Sequence, residues 1–340
     1  MVKKNFGLGL TTAMEANQII DLAKRAEQLG FDSLWISEDP YDRHSLALTS
    51  IITYITQKIK IATGILNVYT MNPVYMAMAV ATLAEIGKER IVLGIGRGVR
   101  SLIEGDLHIP YGSPITYAKE YLITLKRLLA GKRVSYIGKE IKLSNSKLHF
   151  LSTNTKINIP ILLAAMGPKM ISLAAQYADG VILNSCTSIE HAIFARKIFY
   201  KKWKRKSEPI IACSLWTNVN DDFETALMQM KKRVGFLLSI PGFGEAFLKY
   251  SNLTDVDLSK LRKVFLWDKP YGDPLWHFEH AKNKDVIDLV PNDVVDKLTI
   301  CGSIKRCKQK INRYFDAGVT VAIINPMNAK TIDALNELIK

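Results

Sequence analysis

A few short segments hold the residues whose types and spacing could do chemistry. In Ala165-Met166-Gly167-Pro168-Lys169 a glycine turn runs into a proline suited to the first turn of a helix. Such a helix start presents free backbone N–H groups and the positive end of its dipole, and Lys169 adds a full charge. The segment reads as a phosphate site, with plain helix capping as the alternative. In Ser37-Glu38-Asp39-Pro40 two adjacent carboxylates could hydrogen-bond a ring N–H or a hydroxyl, or take part in proton transfer. Arg97, within Gly94-Ile95-Gly96-Arg97-Gly98, either pairs with Asp39 or Glu38 as a structural ion pair or receives an anionic substrate. Thr63-Gly64-Ile65-Leu66-Asn67, Ala164 and Asn184-Ser185 complete the set. Small residues at several neighbouring segment ends let backbone approach a flat ligand closely.

Other candidates are weaker. The glycines at 94, 96 and 98 suggest a dinucleotide fingerprint, but Val99 stands where the third glycine of G-x-G-x-x-G belongs. His277 and His280 with Glu279 have a spacing that one face of a helix could offer a metal. No third ligand is near in sequence, so they read as surface residues and no metal site is expected. His108 reads as structural. G-x-S-x-G, P-loop and H-E-x-x-H motifs are absent, which leaves serine hydrolase, P-loop NTPase and zincin chemistry without support.

These segments need a scaffold that brings them together. Strand-like runs fall at Asn5 to Leu10, Ser33 to Ser37, Ile59 to Ile65, Ile91 to Gly96, Ile159 to Ala165, Gly180 to Asn184, Pro209 to Thr217 and Val319 to Asn325. Helical spacing follows at Met14 to Leu29, His44 to Gln57, Pro73 to Gly87, Pro114 to Ala130, Pro168 to Tyr177, Ser188 to Trp203, Asp221 to Leu238 and Met327 to Ile339. Strict alternation demands parallel strands with right-handed crossovers, and eight repeats predict a closed (β/α)8 barrel rather than an open sheet. The reactive segments then all lie at C-terminal strand ends, where such barrels carry their sites. Two stretches depart from the repeat. Gly131 to Ser152 reads as a small β excursion around Val134 to Gly138. Ser239 to Leu298 is a long, aromatic-rich insertion, predicted to be an ordered lid, followed by a returning helix from Ser303 to Ala317.

Composition agrees with one globular unit of 340 residues, 48% hydrophobic and 23% charged. No apolar run approaches the length of a membrane helix, and the amino terminus from Met1 to Leu10 lacks a signal-peptide core. Four cysteines without C-x-x-C spacing suggest a reducing, cytoplasmic setting. The net charge of +14 favours anionic ligands. Its densest cluster, Lys201 to Lys206, ends a predicted helix and reads as a solvated helix end rather than a nucleic-acid surface.

Phe31-Asp32-Ser33-Leu34-Trp35-Ile36-Ser37-Glu38-Asp39, Ile61-Ala62-Thr63-Gly64-Ile65, Ile91 to Gly96, Ile161 to Lys169 and Ala178-Asp179-Gly180-Val181 follow one another in a set order. Together they resemble the bacterial luciferase-like superfamily, and within it the coenzyme F420-dependent oxidoreductases of the methylenetetrahydromethanopterin reductase type. The resemblance covers nearly the whole chain. It implies a TIM barrel of the luciferase-like type, a single domain over residues 1–340 with an insertion at 239–298 before the last strand. It also implies a homodimer acting on a small-molecule substrate, with no nucleic-acid or membrane partner, and F420 or, alternatively, FMN at the barrel mouth. A non-prolyl cis peptide is expected at Gly64-Ile65. Asp39 would approach the cofactor headgroup, Gly96 and Arg97 would line the ring pocket with Gly64 and Ile65, and Ala164, Ala165, Met166, Gly167, Pro168 and Lys169 with Asn184 would bind the phosphate-bearing tail. Asp39 and Arg97 are the candidate catalytic residues. The activity implied is hydride transfer between the deazaflavin and an organic substrate; an FMN-dependent monooxygenase is the alternative, and a non-catalytic flavin binder a third reading. Gly9 replaces the strand-one glutamate of the methanopterin reductases, and Val99 the glutamate that sugar-phosphate dehydrogenases of the family carry after the strand-four glycines.

Overall fold

The computed structural model describes residues 4–151 and 157–340. Met1 to Lys3, from the amino-terminal reading, and Ser152, the last residue of the β excursion, lie outside the described residues. Eight parallel strands close a barrel: β1 Asn5–Leu10, β2 Ser33–Ile36, β3 Lys60–Thr63, β4 Ile91–Gly96, β5 Ile161–Ala164, β6 Gly180–Leu183, β7 Ile210–Val219 and β8 Val321–Pro326. β1 pairs with β8 (Asn5 opposite Val321), and β7 pairs with both β8 and β6 (Ile210 opposite Gly180), so the ring has no free edge.

Side-chain alternation decides which residues face inward. Trp35, Ala62, Val92, Leu162, Ile182, Ala212, Val321 and Ile323 pack as the barrel interior. The opposite set, including Leu34, Ile36, Ile61, Leu93 and Ile161, meets the helices. Those helices are α1 Ala16–Leu29, α2 Ser45–Ile55, α3 Pro73–Gly87, α4 Pro114–Leu129, α5 Pro168–Tyr177, α6 Ile189–Lys202 and α7 Phe223–Ser239. In α1 the spacing of Ile19, Ala23 and Ala26 puts all three on the buried face, and Gly30 ends the helix with φ 86°, a left-handed conformation that glycine adopts without steric cost. Each fully buried aliphatic side chain contributes about 1.5–3 kcal/mol, and this outer layer holds most of them.

The insertion between β7 and β8 is helical: α8 Gly244–Ser251, α9 Leu258–Val264, α10 Pro274–His280, α11 Asn283–Ile287 and α12 Asn292–Leu298, before α13 Ile304–Asp316 returns the chain to β8. Phe247, Leu261, Phe265, Val286 and Val294 pack on Met230 and Val234 of α7 to make a core separate from the barrel interior. Aromatic side chains that looked excessive for a loop are thus the filling of a folded unit.

Several sequence expectations shift. β3 stops at Thr63 rather than Ile65; the Gly64–Ile65 peptide is cis, as expected, and the chain pairs with β4 again at Leu66–Asn67. The last helical run divides at Ala334 into Ala329–Asp333 and Leu335–Ile339. Ile300–Gly302 forms a short strand beside β7, and Ser101–Asp106 a π-helical turn; three and six residues are too few for periodicity to reveal. The β excursion is a hairpin of Val134–Ile137 and Lys142–Ser146, whose turn amides at Lys139, Glu140 and Ile141 donate to the buried Glu120 carboxylate. Among the described residues no helix is long and apolar enough to cross a membrane.

Candidate active site

The C-terminal strand ends surround a cavity of about 660 Å³. Gly64, Ile65, Arg97, Ala164 to Lys169 and Asn184 all line it, so most of the residues singled out in the sequence are brought together. Gly96 stands just behind the wall, where an added Cβ would lie 2.9 Å from Ile65 Cδ1 and 3.1 Å from Ala164 Cβ. Asp39 is not part of the lining. A cavity of similar size, about 640 Å³, opens at the opposite end around Asn5, Ser33 and Lys60, but no helix start points into a barrel at its N-terminal end.

One end of the upper cavity has the features an anion site needs. Gly167 is the N-cap of α5, extended at φ −94° and ψ 162°, and no side chain caps the helix. Pro168 takes the first helical position, so the following amides of Lys169 and Met170 and the dipole end stay available to a ligand. Arg97 and Lys169 are the charged residues of the lining, which contains no carboxylate.

The anion loop is pinned from behind by a residue that sequence reasoning missed. His191, in the first turn of α6, is fully buried, and its Nε2 lies 2.9 Å from the Met166 carbonyl oxygen, to which it donates. Asn184 also donates to the Met166 sulfur. The His191 ring stacks near Tyr250, whose own ring stacks on Phe194 at 4.6 Å; both Tyr250 and Phe243 reach the cavity from the insertion. Burial holds the imidazole below its ordinary value of 6.5, against the pull of its bond to Met166. The fold therefore favours neutral His191: its stabilisation is complete above pH ~6.5 and declines as pH falls below that value. Thermal unfolding between pH 7 and pH 5 should show a decline that His191→Gln, which keeps an N–H donor but does not titrate, reduces. An equal decline in both proteins would assign it to other groups.

Asp39 is held as an acceptor. Its Oδ2 receives the hydroxyls of Thr11 at 2.5 Å and Ser37 at 2.6 Å and the Thr12 amide at 3.2 Å, while its own amide donates to the Thr12 hydroxyl. It thereby ties the loop after β1 to the end of β2. Of the two readings of Arg97, the ion pair with Asp39 or Glu38 is not formed: Arg97 Nη1 donates to the Tyr111 hydroxyl at 2.9 Å, and its guanidinium lies over Phe243 with 5.6 Å to the ring centre. Glu38 is half-buried, and burial with the neighbouring Asp39 charge raises its carboxyl pKa despite His44.

Gly9 carries its own explanation, since a Cβ there would fall 2.0 Å from Asn325 Oδ1. The Asn325 amide fills the space above β1 and donates to Ser214, whose hydroxyl also meets that of Ser185 at 2.8 Å. His277, expected at the surface, is instead buried in the insertion, its ring nitrogens 2.9 and 2.8 Å from the Phe265 and Tyr271 carbonyl oxygens; no metal-binding group of His, Cys, Asp and Glu occurs among the described residues. His108 is an exposed residue with φ 51°. The insertion is fastened over the mouth at Gly272, whose amide donates to Asp106 at 2.7 Å, while the Tyr41 hydroxyl donates to the other oxygen of the same carboxylate.

Comparison with known proteins places this geometry. Residues 2–321 match the luciferase-like monooxygenase family. A protein of Methanolobus tindarius, 5,10-methylenetetrahydromethanopterin reductase, is 26% identical over 339 residues, covering 98% of both chains. The coenzyme F420-dependent tetrahydromethanopterin reductase of Methanopyrus kandleri superposes with a TM-score of 0.81 at 22% identity, covering 99% of this chain and 97% of that one. An F420-dependent secondary alcohol dehydrogenase, solved with an F420-acetone adduct, superposes with a TM-score of 0.78 at 19% identity, covering 99% and 98%.

Proposed function

Because the chain belongs to the luciferase-like monooxygenase family, we propose that it is a coenzyme F420-dependent oxidoreductase that transfers a hydride between the deazaflavin and a small organic substrate. The observation that carries this reading is the uncapped start of α5, with Lys169, opening into a cavity that has cations and no carboxylate in its wall. That arrangement fits the phosphodiester tail of F420. The F420-dependent reductase and the F420-dependent secondary alcohol dehydrogenase superpose with this chain over 97% and 98% of their lengths.

When bound, the deazaflavin supplies the hydride chemistry. The protein binds and orients. Gly64, Ile65 and Arg97 form the ring wall with Gly96 just behind it, and Ala164, Ala165, Met166, Gly167, Pro168 and Lys169 with Asn184 hold the tail. Asp39 fixes the loops beside the headgroup. Phe243 and Tyr250 from the insertion exclude water from above, the lid role assigned to residues 239–298. The deciding experiment is titration with F420 and FMN side by side, followed by quenching of intrinsic fluorescence. Micromolar F420 binding with much weaker FMN binding is expected; the reverse preference makes an FMN-dependent monooxygenase the better reading, and binding of neither refutes both.

The protein works as a cytoplasmic homodimer in this reading. All four cysteines are free and buried, as a reducing compartment allows. The outer faces of α2 and α3 expose Tyr54 at 77%, Tyr75 at 66%, Ile51 and Met78, a side-by-side apolar surface suited to a second copy. Light scattering should give twice the chain mass for the native protein and the single mass for a Tyr75→Glu, Met78→Glu double variant. A monomeric native protein would remove the dimer from the proposal.

A further inference from the structure

Among the described residues Arg97 is the only arginine lining the cavity, and it differs from four ion-paired arginines elsewhere. Arg100, Arg205, Arg262 and Arg306 each hold a carboxylate, those of Glu104, Asp179, Glu245 and Asp296, at 2.7, 2.6, 2.5 and 2.8 Å. Arg97 has no ion-pair partner among the described residues. Asp39, the pairing that the sequence suggests, is already engaged by Thr11, Thr12 and Ser37.

Its one hydrogen-bond partner leaves the charge uncompensated while fixing the geometry. The Tyr111 side chain is 2% exposed and stacks on Tyr69 at 4.6 Å, and Tyr69 packs on Tyr117 at 4.2 Å. Burial raises the Tyr111 phenol pKa although Arg97 opposes it, so the acceptor is a neutral hydroxyl rather than an anion. With Nη1 anchored on this aromatic stack and Phe243 on one face, the remaining N–H groups of a planar guanidinium form a preset donor edge. Such an edge matches carboxylate or phosphate oxygens. The α5 start already serves the phosphodiester of the cofactor, and Val99, Ile115 and Phe243 supply apolar wall nearby.

We propose that Arg97 is a second anion-binding point in this cavity and that it selects a substrate carrying a carboxylate or phosphate on an apolar body. The inference rests on the cofactor reading above for its account of the other anion site. Two sources share this chemistry, the substrate and the polyglutamate end of F420, and the test separates them.

Benzoate, with benzamide as its neutral isostere, is titrated into F420-loaded wild type, Arg97→Gln and Arg97→Lys. Benzoate should bind the wild type in preference to benzamide, and Arg97→Gln should weaken it by about tenfold or more, with partial recovery in Arg97→Lys. Because Arg97 also borders the ring, any change of F420 affinity across the variants should be shared by the tail-less deazaflavin headgroup, and the titrations are made at saturating F420. A loss of F420 affinity in Arg97→Gln, absent for the tail-less deazaflavin headgroup, would overturn the proposal in favour of the cofactor tail. Equal binding of benzoate and benzamide, or benzoate binding unchanged in Arg97→Gln, would also overturn it. If the wild type binds no F420, the cofactor reading fails separately. The same benzoate titrations on the unloaded proteins then decide the anion point, which stands if Arg97→Gln abolishes the preference for benzoate and falls if it does not.

Discussion

Gly167→Asp is expected to leave the protein as stable as before, or more so, while reducing F420 affinity by about a hundredfold or more. Gly167 has extended backbone angles that aspartate adopts readily, and the nearest atom to an added Cβ is the Tyr250 hydroxyl at 3.7 Å, an ordinary contact. Aspartate is among the preferred N-caps; relative to glycine the gain is a few tenths of a kcal/mol. The same carboxylate would occupy the first amides of α5 and set a negative charge where the phosphate is proposed to sit. Charge-assisted hydrogen bonds contribute about 1.5–3 kcal/mol each, so losing them and adding repulsion accounts for the factor. Thermal unfolding and F420 titration together give opposite signs for stability and binding, and the tail-less headgroup should bind both proteins alike. If F420 affinity were unchanged, the α5 start would not be the anion site.

Gly94→Ala should be among the most damaging single-methyl changes in the barrel. A Cβ at this position would lie 2.1 Å from the Thr63 carbonyl oxygen and 2.6 Å from Ile182 Cδ1. The first is backbone and cannot rotate away. The two strands are also locked by the Thr63 hydroxyl, which donates to the Gly94 carbonyl at 2.8 Å and accepts from the Gly94 amide at 2.9 Å. Separating β3 from β4 to relieve the overlap would break these bonds and shift Gly64 and Ile65. The expected loss is about 2–4 kcal/mol, with a clear fall in unfolding temperature. Gly96→Ala is the comparison, because its tightest neighbour is the end of the Ile65 side chain at 2.9 Å, which can move. A Gly94→Ala protein as stable as Gly96→Ala would mean that the strands separate without cost.

Much of this architecture is legible in the sequence because it is written locally. Alternation within β1, the short apolar runs of β4 and β6 and helical spacing in α1 are short-range patterns, and Gly30 and Pro168 mark helix ends by their own backbone restrictions. The start of α5 at the cavity is readable for the same reason, since a helix start is made by consecutive residues. Contacts that give the site its character are long-range. Arg97 finds Tyr111 rather than Asp39 through the path of the π-helical turn between them, which no periodicity encodes. His191 meets Met166 across α5, and Asn325 fills the space over Gly9 from the far end of the chain. A lone histidine and a strand-end asparagine have no signature until the barrel closes.

The separate core of the insertion divides the labour of the molecule. Phe247, Phe265 and Val294 belong to a cluster that shares no member with the barrel interior around Trp35 and Leu162. Substitutions in the two clusters should therefore combine additively, within about 0.5 kcal/mol. The part that carries Phe243 and Tyr250 into the cavity can be remodelled while the ring of strands keeps its shape, with Val99 and Met166 as the strand-end residues that line the cavity and pack against the core of the insertion. Selectivity and scaffold are in this sense separately adjustable, and a library confined to residues 239–298 would sample new substrates at little risk to the fold beneath.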